Sequence, residues 1–182
     1  GTATRTACHL PGTAAHRPGP GGGRGRAVCK AGAMLEPAGI DHLRDDLLAA
    51  DFTLDAVSGR LGEAGLAGLA RNSTVPASRA LGDADDPQAD AIRLWLLQQP
   101  VPGCRVASWS SLAALRSAGL VAGGEQVRAA VELKPHGSER RQGWICSDQT
   151  PLDTRFVRPR SDFVLGASPA STTLAQLVPR RR

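Results

Sequence analysis

The residues of this chain whose types could do chemistry are two acidic clusters, four cysteines and a few histidines and arginines. Asp45-Asp46 and the group Asp83, Asp85 and Asp86 have the makeup of catalytic or metal-binding carboxylates. Their setting favours a plainer reading, a solvated helix face for the first and an acidic loop ahead of Pro87 for the second. Cys8, Cys29, Cys104 and Cys146 form no CxxC pair, so neither a metal site nor a disulfide framework is indicated. Cys104 and Cys146 read as small core fillers, since no histidine is placed to activate either thiol. His42 falls on an expected helix and His136 in an expected turn, neither with a partner visible in the sequence. Arg105, Arg116, Arg140 and Arg141 are the side chains that could meet phosphate. The sequence has no GxSxG, P-loop, HExxH or GxGxxG motif.

Charge placement narrows the partners. The net charge of +5 sits in residues 1–33, which contain four Arg, one Lys and no acid. Residues 34–150 hold 11 basic against 15 acidic residues, and residues 151–182 hold 6 against 2. A uniformly basic nucleic-acid binder would distribute its charge differently. There is no run of 18 apolar residues and no apolar signal core, so the reading is a reduced, cytoplasmic protein without a membrane span.

The elements that must position these residues follow from spacing. Residues 1–33 are rich in Gly, Pro and Arg and poor in large apolar groups, so a disordered tail is expected, with Met34 at the change of composition. From there a helical pattern begins. Asp41 is expected to cap a helix in which Leu43, Leu47 and Leu48 share a face. Thr53 is expected to cap a second, with Leu54, Val57 and Leu61 inward, and a glycine-diluted third helix follows. A turn-rich stretch then leads into QADAIRLWLLQQ, the strongest helix, with Ile92, Trp95 and Leu96 on one side and Pro100-Val101-Pro102 ending it.

Beyond it, Trp109, Leu112 and Leu115 share one face of an expected helix that stops near Gly119. EQVRAAVEL alternates as a half-buried strand with Val127, Ala129, Val131 and Leu133 inward. PHGSERRQG reads as a polar turn and GWICSD as the partner strand. The fold class is therefore α+β, a mainly helical module over 34–150 that ends in a winged-helix-like helix–hairpin unit. That order points toward nucleic acid, but the candidate surface offers few phosphate contacts. A scaffold or substrate-docking module is the favoured reading of these residues, with direct DNA binding behind it.

Four segments in order carry a resemblance: LRDDLLAADFTLDAVSGRLG, AIRLWLLQQPVP, the run from LRSAGLV through EQVRAAVELKPHG to GWICSD, and FVLGASPASTTLAQL. Together they resemble the N-terminal half of actinobacterial class I S-adenosylmethionine-dependent methyltransferases, over about residues 35–178. The resemblance implies a Rossmann-like catalytic domain after this point, opened by a DLGTGxG-type motif, with a later NPPY-type motif that places the methyl-accepting nitrogen. It implies a protein or RNA nitrogen as acceptor, and places Ser171, Thr172 and Thr173 near the cofactor. Read locally, Ser171 caps a short helix.

This sequence contains neither DLGTGxG nor NPPY and reads Pro179-Arg180-Arg181-Arg182 where the catalytic strand would begin. The expectation is thus an acceptor-side module with a connecting segment over 151–182. By itself it would bind no S-adenosylmethionine, no metal and no membrane. A winged-helix nucleic-acid-binding module or transcriptional regulator is the alternative.

Overall fold

The computed structural model describes residues 37–138 and 141–153, and beyond them residues 161, 163, 164, 166, 167, 173, 174 and 177. The expected tail over 1–33 and most of the expected connecting segment lie outside the described residues. In chain order the elements are α1 (Pro37–Ala49), α2 (Leu54–Ala70), α3 (Val75–Leu81) and α4 (Pro87–Ala91), which runs into a π-helical turn, Ile92–Leu96. Then come β1 (Val101–Pro102), α5 (Gly103–Ala107), α6 (Leu112–Ser117), β2 (Val121–Ala122), β3 (Gln126–Ala129), β4 (Glu132–Ser138) and β5 (Arg141–Ser147). The class is α+β.

Local chemistry explains most of the helix boundaries. α1 starts at Pro37, four residues ahead of the expected cap, because proline at a first helical position lacks only an N–H that would be unpaired anyway. Leu47 and Ala50 turn inward and Leu48 outward, a shift from the expected face. Thr53 caps α2 as expected, its Oγ1 accepting from the Ala56 N–H at 3.3 Å. The two helices expected over 53–72 are one run broken at Gly62, whose φ of 63° is non-helical. α3 occupies the stretch expected as turns, and the glycines of α2 are what admit it. A Cβ on Gly68 would lie 2.8 Å from the Pro76 ring, so the residue that dilutes helix propensity also allows the close approach of α3.

Asp86 caps α4, its Oδ1 accepting from the Ala89 N–H at 3.0 Å, with Pro87 in the first turn. The segment that follows buries Ile92, Leu94, Trp95, Leu96 and Leu97, more than the one-sided stripe read from the sequence. Such a segment belongs in the centre of a core rather than on its surface. Around it lie the other large buried side chains, Phe52, Leu47, Val101, Val106 and Val127.

Two antiparallel sheets complete the fold. In the first, β3 lies between β1 and β2, in register at Val101↔Val127 and Val121↔Ala129. α5 and α6 connect β1 to β2. They replace the single expected helix, since Ser111 breaks the run and caps α6 through its Oγ and the Ala114 N–H. The β2–β3 turn requires glycine at 123, where φ is +105° and a Cβ would lie 2.2 Å from the Gln126 carbonyl oxygen.

The expected strand EQVRAAVEL is divided into β3 and β4, and β3 does not pair with GWICSD. That pairing falls to β4, from Glu132↔Ser147 to Ser138↔Arg141, so most of the expected polar turn is strand. The split changes the alternation. Glu132, expected outward, is 2% exposed and accepts from Lys134 Nζ at 2.8 Å and from Thr150 Oγ1 at 2.9 Å. The β4–β5 hairpin is tied to the helices by Trp144, whose indole N–H donates to the Phe52 carbonyl at 2.8 Å.

The chain after β5 returns across the molecule. Gln149 Nε2 donates to the Ala129 carbonyl at 2.9 Å, Gln98 Nε2 donates to the Thr150 carbonyl at 2.7 Å, and Leu152 is buried. The Asp153 carboxylate accepts from both the backbone N–H, at 2.8 Å, and the hydroxyl of Thr74. It supplies the N-terminal acceptor that Thr74 does not supply to α3 through its own side chain.

Candidate functional site

The site grows from two helical segments facing each other. On α1, Gly39, His42, Leu43 and Asp46 fall at helical spacing on one side. Opposite them lie Ala107, Ser110 and Ser111, with Trp109, Ala114 and Leu115, from the α5–α6 segment. Together they enclose an open groove of about 530 Å³. Ser110 is buried, and its hydroxyl donates to Asp46 Oδ2 at 2.8 Å, which links the two walls. That bond also limits the chemistry. The serine gives its proton to a carboxylate rather than to an imidazole, so Ser110 and His42 do not form an activated nucleophile pair. Trp109 is half-buried, and its indole nitrogen has no acceptor among the described residues. The groove has the makeup of a binding surface.

The arginines singled out in the sequence are placed apart from it. Arg105 holds Asp90, with Nε donating to Oδ2 at 2.9 Å and a second bond to Oδ1. Arg116 NH2 donates to the Gly123 and Gly124 carbonyls at 3.0 and 2.9 Å, bracing the β2–β3 turn. Arg141 opens β5, and Arg140 lies outside the described residues. Ser171 and Thr172 also lie outside them, whereas Thr173 is helical and exposed. His136 sits exposed on β4 rather than in a turn. Cys146 is exposed on β5 and Cys104 is disulfide-bonded, so neither behaves as a buried core filler. Among the described residues, no group of three or more His, Cys, Asp or Glu could hold a metal ion. No helix there is long and apolar enough to cross a membrane.

Two carboxylates of α4 and its cap pin neighbouring helices, Asp90 holding α5 through Arg105 and Asp86 holding α2 through Arg60, and the sequence reading missed Asp90. Asp90 is 2% exposed at the end of α4. Burial pushes its carboxyl above the ordinary value, and the Arg105 hydrogen bonds and charge, with the charge of Arg93, only partly counter this. The available signal was its position four and seven residues before Leu94 and Leu97, on an inward face. Asp86 goes the other way. Burial alone would raise it, but the Arg60 hydrogen bonds, the Ala89 N–H and the Arg60 charge together hold it below the ordinary value.

A carboxylate depressed on folding stabilises the fold above its unfolded value and loses that contribution as pH falls. Asp86→Ala is therefore expected to cost about 1 kcal/mol at neutral pH, mainly by loss of the cap. In urea titrations the gap to the parent is expected to close as pH falls below the ordinary value of 3.8 and through the folded titration. A gap that persisted undiminished there would mean that Asp86 acts through packing instead.

Residues 49–131 match the family described as a domain of unknown function, DUF7059. The matched stretch runs from the end of α1 through β3, so it includes one wall of the groove and not the α1 wall. No curated protein and no solved structure matches the chain.

Proposed function

We propose that residues 37–153 form the acceptor-side module of an S-adenosylmethionine-dependent methyltransferase acting on a nitrogen of protein or RNA, with a winged-helix-like unit at its centre. The observation that carries the winged-helix part is connectivity. Helix α4, strand β1, helices α5 and α6, and strands β2 and β3 follow in order, with β3 between β1 and β2. The wing is then the short β2–β3 turn rather than the later hairpin. The methyltransferase part rests on the ordered resemblance of four segments. It agrees with a frame in which Asp86 and Asp90 are used to hold helices and a groove is left accessible.

No transfer chemistry is assigned to the described residues. S-adenosylmethionine would supply the methyl group, and the acidic, glycine-rich motif that would hold it does not occur in this sequence. Binding and orienting an acceptor is the part such a module contributes.

Coding sequence following codon 182, read in every frame, is expected to encode a DLGTGxG-type motif, and its absence from all of them would sink the reading. Calorimetry on the 182-residue chain is expected to register no uptake of S-adenosylmethionine. Tight stoichiometric uptake would be equally fatal. The nucleic-acid alternative draws on the same connectivity. It predicts a mobility shift of duplex DNA that weakens steeply with salt. No shift at low salt is the expected result, given how Arg105 and Arg116 are engaged.

A further inference from the structure

We propose that the groove between α1 and the α5–α6 segment docks a polypeptide, specifically a short partner segment whose apolar side chains are flanked by lysine or arginine. The inference concerns binding and goes beyond the methyl-transfer reading.

Shape and charge both point to this occupant. Leu43, Ala107, Trp109, Ala114 and Leu115 give the groove an apolar lining that water solvates poorly, and a partner's apolar side chains would displace that water. Its volume lies within the range of roughly 300–1,000 Å³ typical of ligand clefts. The Asp46 carboxylate stands in the wall, and α1 carries exposed Asp41 and Asp45 beside it. Among the described residues, no lysine or arginine lines the groove. On the α5–α6 side, Arg105 is engaged by Asp90 and Arg116 by two backbone carbonyls. α1 also carries exposed Arg44, but three carboxylates, Asp41, Asp45 and Asp46, outnumber it there, so a phosphate chain entering here would meet a net negative wall. A cationic side chain would meet a complementary charge at the edge of an apolar surface.

Asp46 is suited to this because Ser110 holds it in one position. The hydroxyl satisfies Oδ2 and leaves the carboxylate with further acceptor capacity. The hydrogen bond also means that Asp46→Asn, which keeps an oxygen acceptor, can remove the charge while retaining the link between the walls.

Fluorescence anisotropy with the full 182-residue chain tests the proposal. The probes are a labelled Leu/Lys peptide of helical spacing, its Leu/Glu counterpart and a single-stranded RNA of similar length. The Leu/Lys peptide is expected to bind at least about tenfold more tightly than either of the others. Asp46→Asn is expected to weaken that peptide about threefold, the scale of a partly exposed charge pair. Ala114→Trp, at an exposed position, is expected to fill the groove and abolish binding with the thermal transition unchanged. The proposal is overturned if the acidic peptide or the RNA binds as tightly as the cationic one, or if Ala114→Trp binds it as the parent does. The outcomes separate the two readings. Peptide binding without a methyltransferase motif downstream would leave the groove standing and remove the transfer chemistry. A downstream motif without peptide binding would do the reverse.

Discussion

Arg105→Ala is expected to lower the unfolding free energy by about 2–4 kcal/mol, below the top of the range for broken buried pairs because the arginine is itself partly exposed. The cause is the partner left behind. The Asp90 side chain is 3% exposed and that of Arg105 31%, so the substitution strands a charge in the interior rather than deleting a surface contact. Arg93, at 3.8 Å on the same helix, is too distant to take over both hydrogen bonds.

The sign with pH follows from the direction of the shift. Asp90 already has a folded value raised by burial, so its contribution to stability is fully present below its unfolded value and is lost as pH rises through the folded one. Without Arg105 nothing opposes the burial except Arg93, and the carboxyl takes up a proton at still higher pH. The deficit of Arg105→Ala should therefore shrink as urea titrations move from neutral toward acid. Asp90→Ala combined with Arg105→Ala should cost less than the two single changes summed. A deficit that is constant with pH, or strict additivity, would show that the pair does not act through Asp90's charge.

Trp95→Ala is expected to cost about 3–5 kcal/mol, a large share of the roughly 5–15 kcal/mol that holds an ordinary domain folded. Trp95 is fully buried in the π-helical turn, at the centre of the core formed by Phe52, Leu94 and Val127. Its indole nitrogen has no acceptor among the described residues. That gives the argument an internal control. Trp95→Phe keeps an aromatic ring and removes the unpaired donor, so its loss should stay below about 1.5 kcal/mol. Equal losses in the two variants, measured by chemical denaturation, would mean that the ring's volume is not what holds the core.

How much of this could be read in advance depended on the range of the interaction. The Thr53 cap, the inward Val57 and Leu61 and the buried Ile92, Trp95 and Leu96 follow from neighbours within a few residues, and the sequence states them. α3 was hidden because Pro76 and the nearby polar residues resemble turn chemistry. Its stability comes from packing on the glycines of α2 and from Asp153, neither of which is local. The strand over 125–133 was legible, but its division was not. Only the pairing of Ala129 with Val121 and of Glu132 with Ser147 reveals that two sheets share one run of alternation. The same division brought Glu132 inside, where period-two reasoning placed it outside.

The groove was less legible than the fold. In the sequence Asp46 reads as a solvated carboxylate and Trp109 as one residue of a helical stripe. The bond between Asp46 and Ser110 spans 64 residues, and no spacing rule reaches that far. Arg105 and Arg116 were found by type but not by role, because their partners are a buried aspartate and a pair of turn carbonyls.

The tie between Asp153 and Thr74 bears on how the chain is made. Thr74 leaves the ribosome 79 residues before its acceptor does, an interval of roughly 4–16 s at ordinary rates of synthesis. During that time the leading amide of α3 stays open to water, while its body can already pack on α2 and Ser78 can already accept from Gln99. A ribosome stalled short of codon 153 would therefore display an α3 whose first turn is not yet tied down.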